Sequence, residues 1–325
     1  MRVMVTGAST PLGLAIVENL RRLPEVSFVL AVCRDRPPAS LTDDLRLRCV
    51  GADLTHERSV HDLVWGEAKQ HLVDTVIHAA QHRSVRDEGR RVHRQNVDAT
   101  RSLILACNDH SSIRRFVLRS FAEVYATPPA ATHLLTEDDP LDFAPETSQW
   151  LRDRVEADLT ACARVGGPLH IAVLRCAELL APNTGSQLWD YLQSRVCMRP
   201  LGFDPVINVL SLDDASAAFV AAAARTAVGP FNIPGADTLP LTRAILESQR
   251  LNIPVPGSLM APLYQLRRRI AGFEFRYDLN ARRFHFGGVL DGTRAREQLG
   301  YVPRARAQWP RPWWTQLIER LAANR

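Results

Sequence analysis

The residues best placed for chemistry lie in Thr6-Gly7-Ala8-Ser9-Thr10-Pro11-Leu12-Gly13, between the apolar run Arg2 to Thr6 and a segment of helical periodicity. A strand, a Gly-rich turn and a helix N-terminus together form an anion site, because unpaired backbone N–H groups and the helix dipole converge there. Gly7 permits the tight turn, and Gly13 lets helix and strand pack closely. The middle position, where a third glycine would let backbone approach a pyrophosphate, is Thr10. A β-branched side chain narrows that approach. Thr10-Pro11 also fits an N-cap followed by proline in the first helical turn. The turn therefore predicts dinucleotide binding through Gly7, Ser9, Thr10, Pro11, Leu12 and Gly13. No Ser-His-Asp constellation is readable, and the histidines lack metal-site spacing with cysteines, so no metal is expected.

The elements that must hold this turn alternate. Strands are predicted over Arg2 to Thr6, Ser27 to Cys33, Leu47 to Val50, Thr75 to Ala79, Ile113 to Leu118 and Leu169 to Leu174. Helices are predicted over Pro11 to Arg22, Val60 to Trp65, Val92 to Asn108 and Ser148 to Val165. Such alternation implies an α/β fold: a parallel sheet, doubly wound, with helices on both faces. Further on, Asn183 to Arg199 is expected to be an inserted helix with flanking loops. Val206 to Leu210 and Phe231 to Ile233 are late strands bracketing an Ala-rich helix, Asp213 to Arg225. The expected division is 1–180 with 205–235 for the nucleotide-binding domain, and 181–204 with 236–325 for a smaller C-terminal substrate lobe.

With the turn in that context, further motifs become specific. Asp53-Leu54, His78-Ala79-Ala80, Asn96-Val97, Ser120 to Tyr125, Leu174-Arg175, Leu212-Asp213-Asp214, Phe231-Asn232-Ile233 and Asp291 to Pro303 fall in one order along nearly the whole chain. This pattern resembles the extended short-chain dehydrogenases/reductases of the NAD-dependent epimerase/dehydratase family, including a UDP-glucose 4-epimerase-like subgroup. The resemblance implies a Rossmann-type sheet and an NAD(P) cofactor. It also implies that Asp53 and Leu54 bind the adenine, and that Ala79, Ala80, Asn96 and Ser120 line the cofactor. A small-molecule substrate is implied, and a homodimer through the helices at Val92–Asn108 and Ser148–Val165. In NAD-preferring members an acidic residue ends the second strand for the ribose 2′-hydroxyl. Here Cys33 takes that slot with Arg34 beside it, which weakly favours NADP. A shift of register would instead bring Asp35 into the slot and reverse the preference.

The catalytic slots do not follow the family. By the resemblance, a serine or threonine, a tyrosine and a lysine act there as hydrogen-bond donor, general acid/base and ribose ligand. This chain has Phe121, Trp150 and Arg154 in those slots. The four-residue spacing keeps Trp150 and Arg154 on one helix face. Phe121 offers no hydrogen bond, the indole does not titrate near neutrality, and Arg154 could only bind ribose hydroxyls or phosphate. Losing a positioned acid/base costs about 10²- to 10⁴-fold in rate. Tyr125, His82, His93 and Tyr191 are the remaining candidate acids, each more readily explained as structural or surface. Val206-Ile207-Asn208 stands where nucleotide-sugar epimerases usually carry a diphosphate arginine, leaving Arg282 or Arg283 for a phosphate. Two readings remain open. One is an NAD(P)-dependent epimerase, dehydratase or oxidoreductase acting on a nucleotide sugar or other small hydroxy/keto compound by an altered mechanism. The other is a protein without catalysis, either a dinucleotide-binding regulator or scaffold or a scaffold that has lost the cofactor as well.

Composition narrows the setting. With 325 residues, 46% hydrophobic and 23% charged, the chain can bury a large core as an ordinary globular protein. The net charge of +5, nearly all arginine on the basic side, suits anionic ligands without indicating nucleic acid. Cys33, Cys49, Cys107, Cys162, Cys176 and Cys197 contain no CxxC pair and favour reduced thiols in the cytoplasm. Met1 leads directly into a strand-like run, and no apolar stretch is long enough to span a bilayer. The segment Leu259 to Ile270 combines apolar residues with Arg267, Arg268 and Arg269, and Trp309, Trp313 and Trp314 follow. A lobe helix with a solvated basic side outweighs peripheral membrane contact as its reading.

Overall fold

A computed structural model describes residues 1–34, 37–127, 134–271 and 274–310. Asp35, Trp313 and Trp314 lie outside them. Seven strands, β1 (Arg2–Thr6), β2 (Phe28–Cys33), β3 (Leu47–Gly51), β4 (Thr75–His78), β5 (Arg115–Phe121), β6 (His170–Cys176) and β7 (Gly229–Ile233), form one sheet in the order β7-β6-β5-β4-β1-β2-β3. All its pairings are parallel. Every residue of β2 and β4 is buried, as continuous apolar runs require when both faces of a sheet are covered. The period of two sends Val3 and Val5 to one core, with Ile16 and Phe219, and Met4 to the other, with Leu30, Ile104 and Phe116. The strand order reverses between β1 and β4. Their carboxyl ends therefore open a crevice, the place where such sheets bind ligands.

A third cluster, with Leu180, Tyr191, Met260, Tyr264, Phe275 and Phe284, packs away from the large sheet. Here the structure corrects the sequence reading. Within Asn183 to Arg199 the helix is only Gln187–Leu192, and Val196–Pro200 is a strand paired in parallel with Leu251–Val255. Ser186 starts the helix by accepting from the Trp189 N–H. Cys197 then turns inward to full burial while its neighbours stay partly exposed, a strand's alternation that a helical count misses. Val206–Leu210 is likewise separate from the large sheet, pairing with Glu178–Leu179 and Asp237–Pro240. The expected helix Val92 to Asn108 is helical from Arg90, with a wider turn at Arg94–Asp98 before Ala99–Asn108. β5 runs further than expected, to Phe121, and so ends at a catalytic slot.

At the end of β4, His78 is fully buried between Thr6 Oγ1 (2.7 Å) and Thr100 Oγ1 (3.1 Å). Burial pulls its pKa down to about 4, so it stays neutral in the folded chain. Unfolded histidine takes a proton near about 6.5. Falling pH therefore favours the unfolded chain between about 6.5 and the folded value, and the stability of the neutral form is lost across that window. Thermal unfolding followed against pH should show this slope, and His78→Gln should flatten it.

Candidate functional site

The crevice is a cleft of about 490 Å³ at the switch point, lined by Gly7, Ser9 and Thr10 of the turn and by Arg34, Asp53 and Leu54. Gly7 has φ +73°, and a Cβ there would meet the Ala80 backbone at 2.8 Å. A Cβ on Gly13 would meet the Gly7 carbonyl oxygen at 2.1 Å. Both positions thus require glycine. Thr10 turns its side chain inward. Its Oγ1 donates to the Gly7 carbonyl (2.8 Å) and accepts from the Gly13 N–H (3.1 Å), capping the Pro11–Arg22 helix. The threonine is thus accommodated by the turn itself. Asp53 accepts from the Thr55 N–H and hydroxyl. Partial burial would raise its pKa, but these bonds and the charge of Arg34 hold it below the usual carboxylate range. Arg34 reaches Gln95 Oε1 across the cleft at 2.9 Å.

The structure brings Gly7, Ser9, Thr10, Arg34, Asp53, Leu54 and Ala80 to the cleft wall. Other expected ligands stand behind it. Leu12 and Gly13 are buried beneath the turn, and Pro11 occupies the first helical position. Cys33 and Ala79 are fully buried, since inward-pointing positions at strand ends face the core. Asn96 is spent on the His82 N–H (2.8 Å), which orders the segment after β4. Ser120 donates to Asp158 at 2.5 Å, and Arg175 holds the same carboxylate through Nε (3.0 Å) and a terminal nitrogen (2.8 Å). Tyr125 joins that buried network, donating to Asn232 Oδ1 (2.6 Å) and accepting from Arg175 (3.0 Å). Several of the landmark residues are therefore structural.

Arg154 is only 5% exposed and does not line the cleft. Its guanidinium is stacked on two aromatic rings at once, 3.6 Å from the Phe121 centroid and 3.6 Å from that of Trp150. A desolvated cation–π contact contributes about 2 kcal/mol or more. The guanidinium is also 3.2 Å from Glu123 Oε1, out of line for a hydrogen bond. Burial lowers the Arg154 pKa to about 10 against the pull of Glu123, which leaves it charged at neutrality. Glu123 is shared with Arg283 (3.4 Å), and Arg283 pairs with Glu178 at 2.9 Å. Glu178 also accepts from Ser186 Oγ and the Leu188 N–H; burial opposes its ionisation, but Arg283 and these donors keep it ionised. A charge chain thus runs from the end of β5 into the lobe. Three buried donors around it, Trp150 Nε1, Arg154 NH1 and Arg119 Nε, lack a hydrogen-bond acceptor among the described residues. Arg119 lies 4.8 Å from the Phe121 ring and donates to the Thr184 carbonyl (3.1 Å), while Gln81 donates to the Arg119 carbonyl (2.9 Å). The first of these bonds ties β5 to the 181–186 segment, and the second ties it to the segment after β4.

Of the other candidate acids, Tyr125 is structural and Tyr191 is buried in the lobe, where it donates to the Met198 carbonyl. His93 pairs with Asp153 at 2.9 Å. His82 does line the cleft, bonded to Asp87 at 2.8 Å. Sequence reading missed Gln81, the 181–186 turn and Asp190 on the cleft wall. The run Pro182-Asn183-Thr184-Gly185 was a legible turn signal, whereas Asp190 was hidden inside a helix. Burial, with Glu274 and Glu178 nearby, raises Asp190 to about 7. The expected phosphate ligand Arg283 is consumed by its two carboxylates. Arg282 is exposed beside Glu146 (3.7 Å). Ile207 lines a second, smaller cavity of about 50 Å³ with Glu123, Glu178 and Arg283. The described residues contain no cluster of His, Cys, Asp and Glu suited to a metal, and all six cysteines are free thiols.

A doubly wound parallel sheet with its cleft at the β1/β4 switch point and a Gly-rich turn at its mouth defines a Rossmann-type, nucleotide-binding class of fold. More narrowly, the model of the NAD dependent epimerase/dehydratase family matches residues 3–196, and the chain belongs to that family. The uncharacterized protein Rv0501 of Mycobacterium tuberculosis (strain H37Rv) is 31% identical over 310 residues, covering 93% of this chain and 80% of that protein. The fold is shared with MoeE5 in complex with UDP-glucose and NAD (TM-score 0.68, 19% identity, 94% of each chain). It is shared equally with the Thermotoga maritima UDP-glucose 4-epimerase with UDP-glucose (TM-score 0.68, 15% identity, 99% of this chain and 100% of that one).

The sandwich makes a specific prediction. Arg154→Lys keeps the charge, yet it removes the planar group between two rings. Chemical denaturation should show a loss of about 1–3 kcal/mol. An unchanged midpoint would mean that the stacking contributes nothing.

Proposed function

We propose that this chain binds a pyridine dinucleotide in the cleft and does not perform the tyrosine-mediated hydride exchange of its family. It acts as a dinucleotide-responsive regulator or scaffold. One observation carries the reading: the slots for the acid and its lysine hold Trp150 and Arg154, stacked with Phe121 and buried. That arrangement has no group that gives and takes a proton near neutrality. Cofactor binding is a separate matter. Gly7, Ser9 and Thr10 face a diphosphate position, Asp53 and Leu54 an adenine position, and Arg34 a ribose position. When bound, the dinucleotide would supply a hydride; the chain's own residues would hold its phosphates and adenosine.

Arg34 supports a preference for NADP, since a guanidinium pairs with a 2′-phosphate and Cys33 offers no opposing carboxylate. Titration of NADPH and NADH by calorimetry should give sub-millimolar binding, with NADPH the tighter. Arg34→Ala should weaken NADPH by about tenfold and NADH hardly at all. Absence of binding by either dinucleotide would sink the proposal.

A second reading is favoured by Asp190. A carboxyl that holds its proton to about 7 on the cleft wall can act as an acid near neutrality. In that case the chain turns over a nucleotide sugar or other small hydroxy/keto compound by a route without the tyrosine. Asp190→Asn would then abolish turnover while leaving dinucleotide affinity intact. For assembly, a homodimer through the Ala99–Asn108 and Gln149–Cys162 helices would cover the exposed Leu105 and Leu159. A cytoplasmic location fits the free thiols.

A further inference from the structure

The Gly257–Ala271 helix carries an apolar stripe that the described residues leave uncovered. Leu259, Leu263, Leu266 and Ile270 are 51%, 37%, 55% and 77% exposed. At about 100° per residue these four positions fall within an arc of about 60°. The opposite side holds the helix in place. Met260 and Tyr264 are buried in the lobe core, and Tyr264 donates to the Met198 carbonyl at 3.1 Å. Arg267 and Arg269 flank the stripe on its two sides, about 70–90° away by the same count. Arg267 also donates to the Val196 carbonyl (2.7 Å), which fixes it at the rim, and Arg269 is exposed. Arg268 turns to the other side, to a surface shared with Arg86, Glu88 and Arg276. From Gly257 to Ala271 there is no acidic residue. The nearest carboxylates beyond it are engaged, Glu274 by Arg86 and Asp278 by Arg276.

We infer that this helix seats the protein on an anionic lipid surface, with the leucine stripe entering the acyl boundary and the arginines among headgroup phosphates. An apolar stripe bordered by arginines on a helix free of acidic residues is the charge complement of such a surface. A protein partner fits less well. The stripe is one side chain wide, far short of the ~800 Å² per partner that a stable interface buries. No described helix is long and apolar enough to cross a membrane, so the contact is lateral. None of the four stripe residues lines the cleft, so the contact would leave it accessible.

Flotation of the full chain with vesicles tests this. With equal parts phosphatidylglycerol and phosphatidylcholine the protein should float, and added salt should release it. With phosphatidylcholine alone it should stay in solution. Leu266→Glu with Ile270→Glu should reduce binding at least about tenfold while near-ultraviolet dichroism stays unchanged. Leu45→Glu, at a fully exposed leucine elsewhere (100%), should bind like the parent. Failure of the parent chain to float, or equal binding to both vesicles, would overturn the inference. So would light scattering showing that the double variant dissociates a dimer while vesicle binding is unaffected.

Discussion

A guanidinium buried at position 154 sets a condition that its surroundings must meet. An isolated charge in the interior costs several kcal/mol, so it must be stacked, paired or both. Here two aromatic rings take its faces and Glu123 its edge. Glu123 in turn draws in Arg283, and Arg283 draws in Glu178, whose other oxygen is held by Ser186 and Leu188 at the start of the next helix. The packing of lobe against sheet therefore follows from compensating charges. Removing any one would strand a partner. The same network engages Arg283 with two carboxylates, and it leaves three donors without acceptors among the described residues. A core selected for stability alone would satisfy those donors.

The turn depends on two close backbone approaches, Gly7 against Ala80 and Gly13 against Gly7, which no side chain could tolerate. Thr10 substitutes for a glycine by folding its hydroxyl back onto the same two residues. The turn has kept its geometry with a changed sequence. Phe121, Trp150 and Arg154 are instead packed on one another and buried, and Arg119 beside Phe121 is bonded to Thr184.

Much of this was legible beforehand. Continuous apolar runs such as β2 and β4 announce buried parallel strands, and the Gly-rich turn announces the cleft. Phe121, Trp150 and Arg154 announce a departure from the serine, tyrosine and lysine that the resemblance leads one to expect. What they become was not legible, because a stack of two rings on a cation depends on rotamers and on strand length, and β5 extends to Phe121. The lobe was misread where local periodicity is weak. A six-residue helix and a five-residue strand there were merged into one expected helix, since pairing with Leu251–Val255 is a long-range event. Asn96, Ser120 and Cys33 were assigned to the cofactor by pattern, yet burial gives them to the core and to backbone order.

The claim that the reaction site is closed while the cofactor site is open is tested most directly by the redox state of bound nicotinamide. The chain would be loaded with oxidised dinucleotide, mixed with UDP- and dTDP-hexoses, and followed by nicotinamide absorbance over many minutes. No reduced nicotinamide should appear, although the dinucleotide stays bound. Growth of the reduced band with any of these sugars would contradict the account.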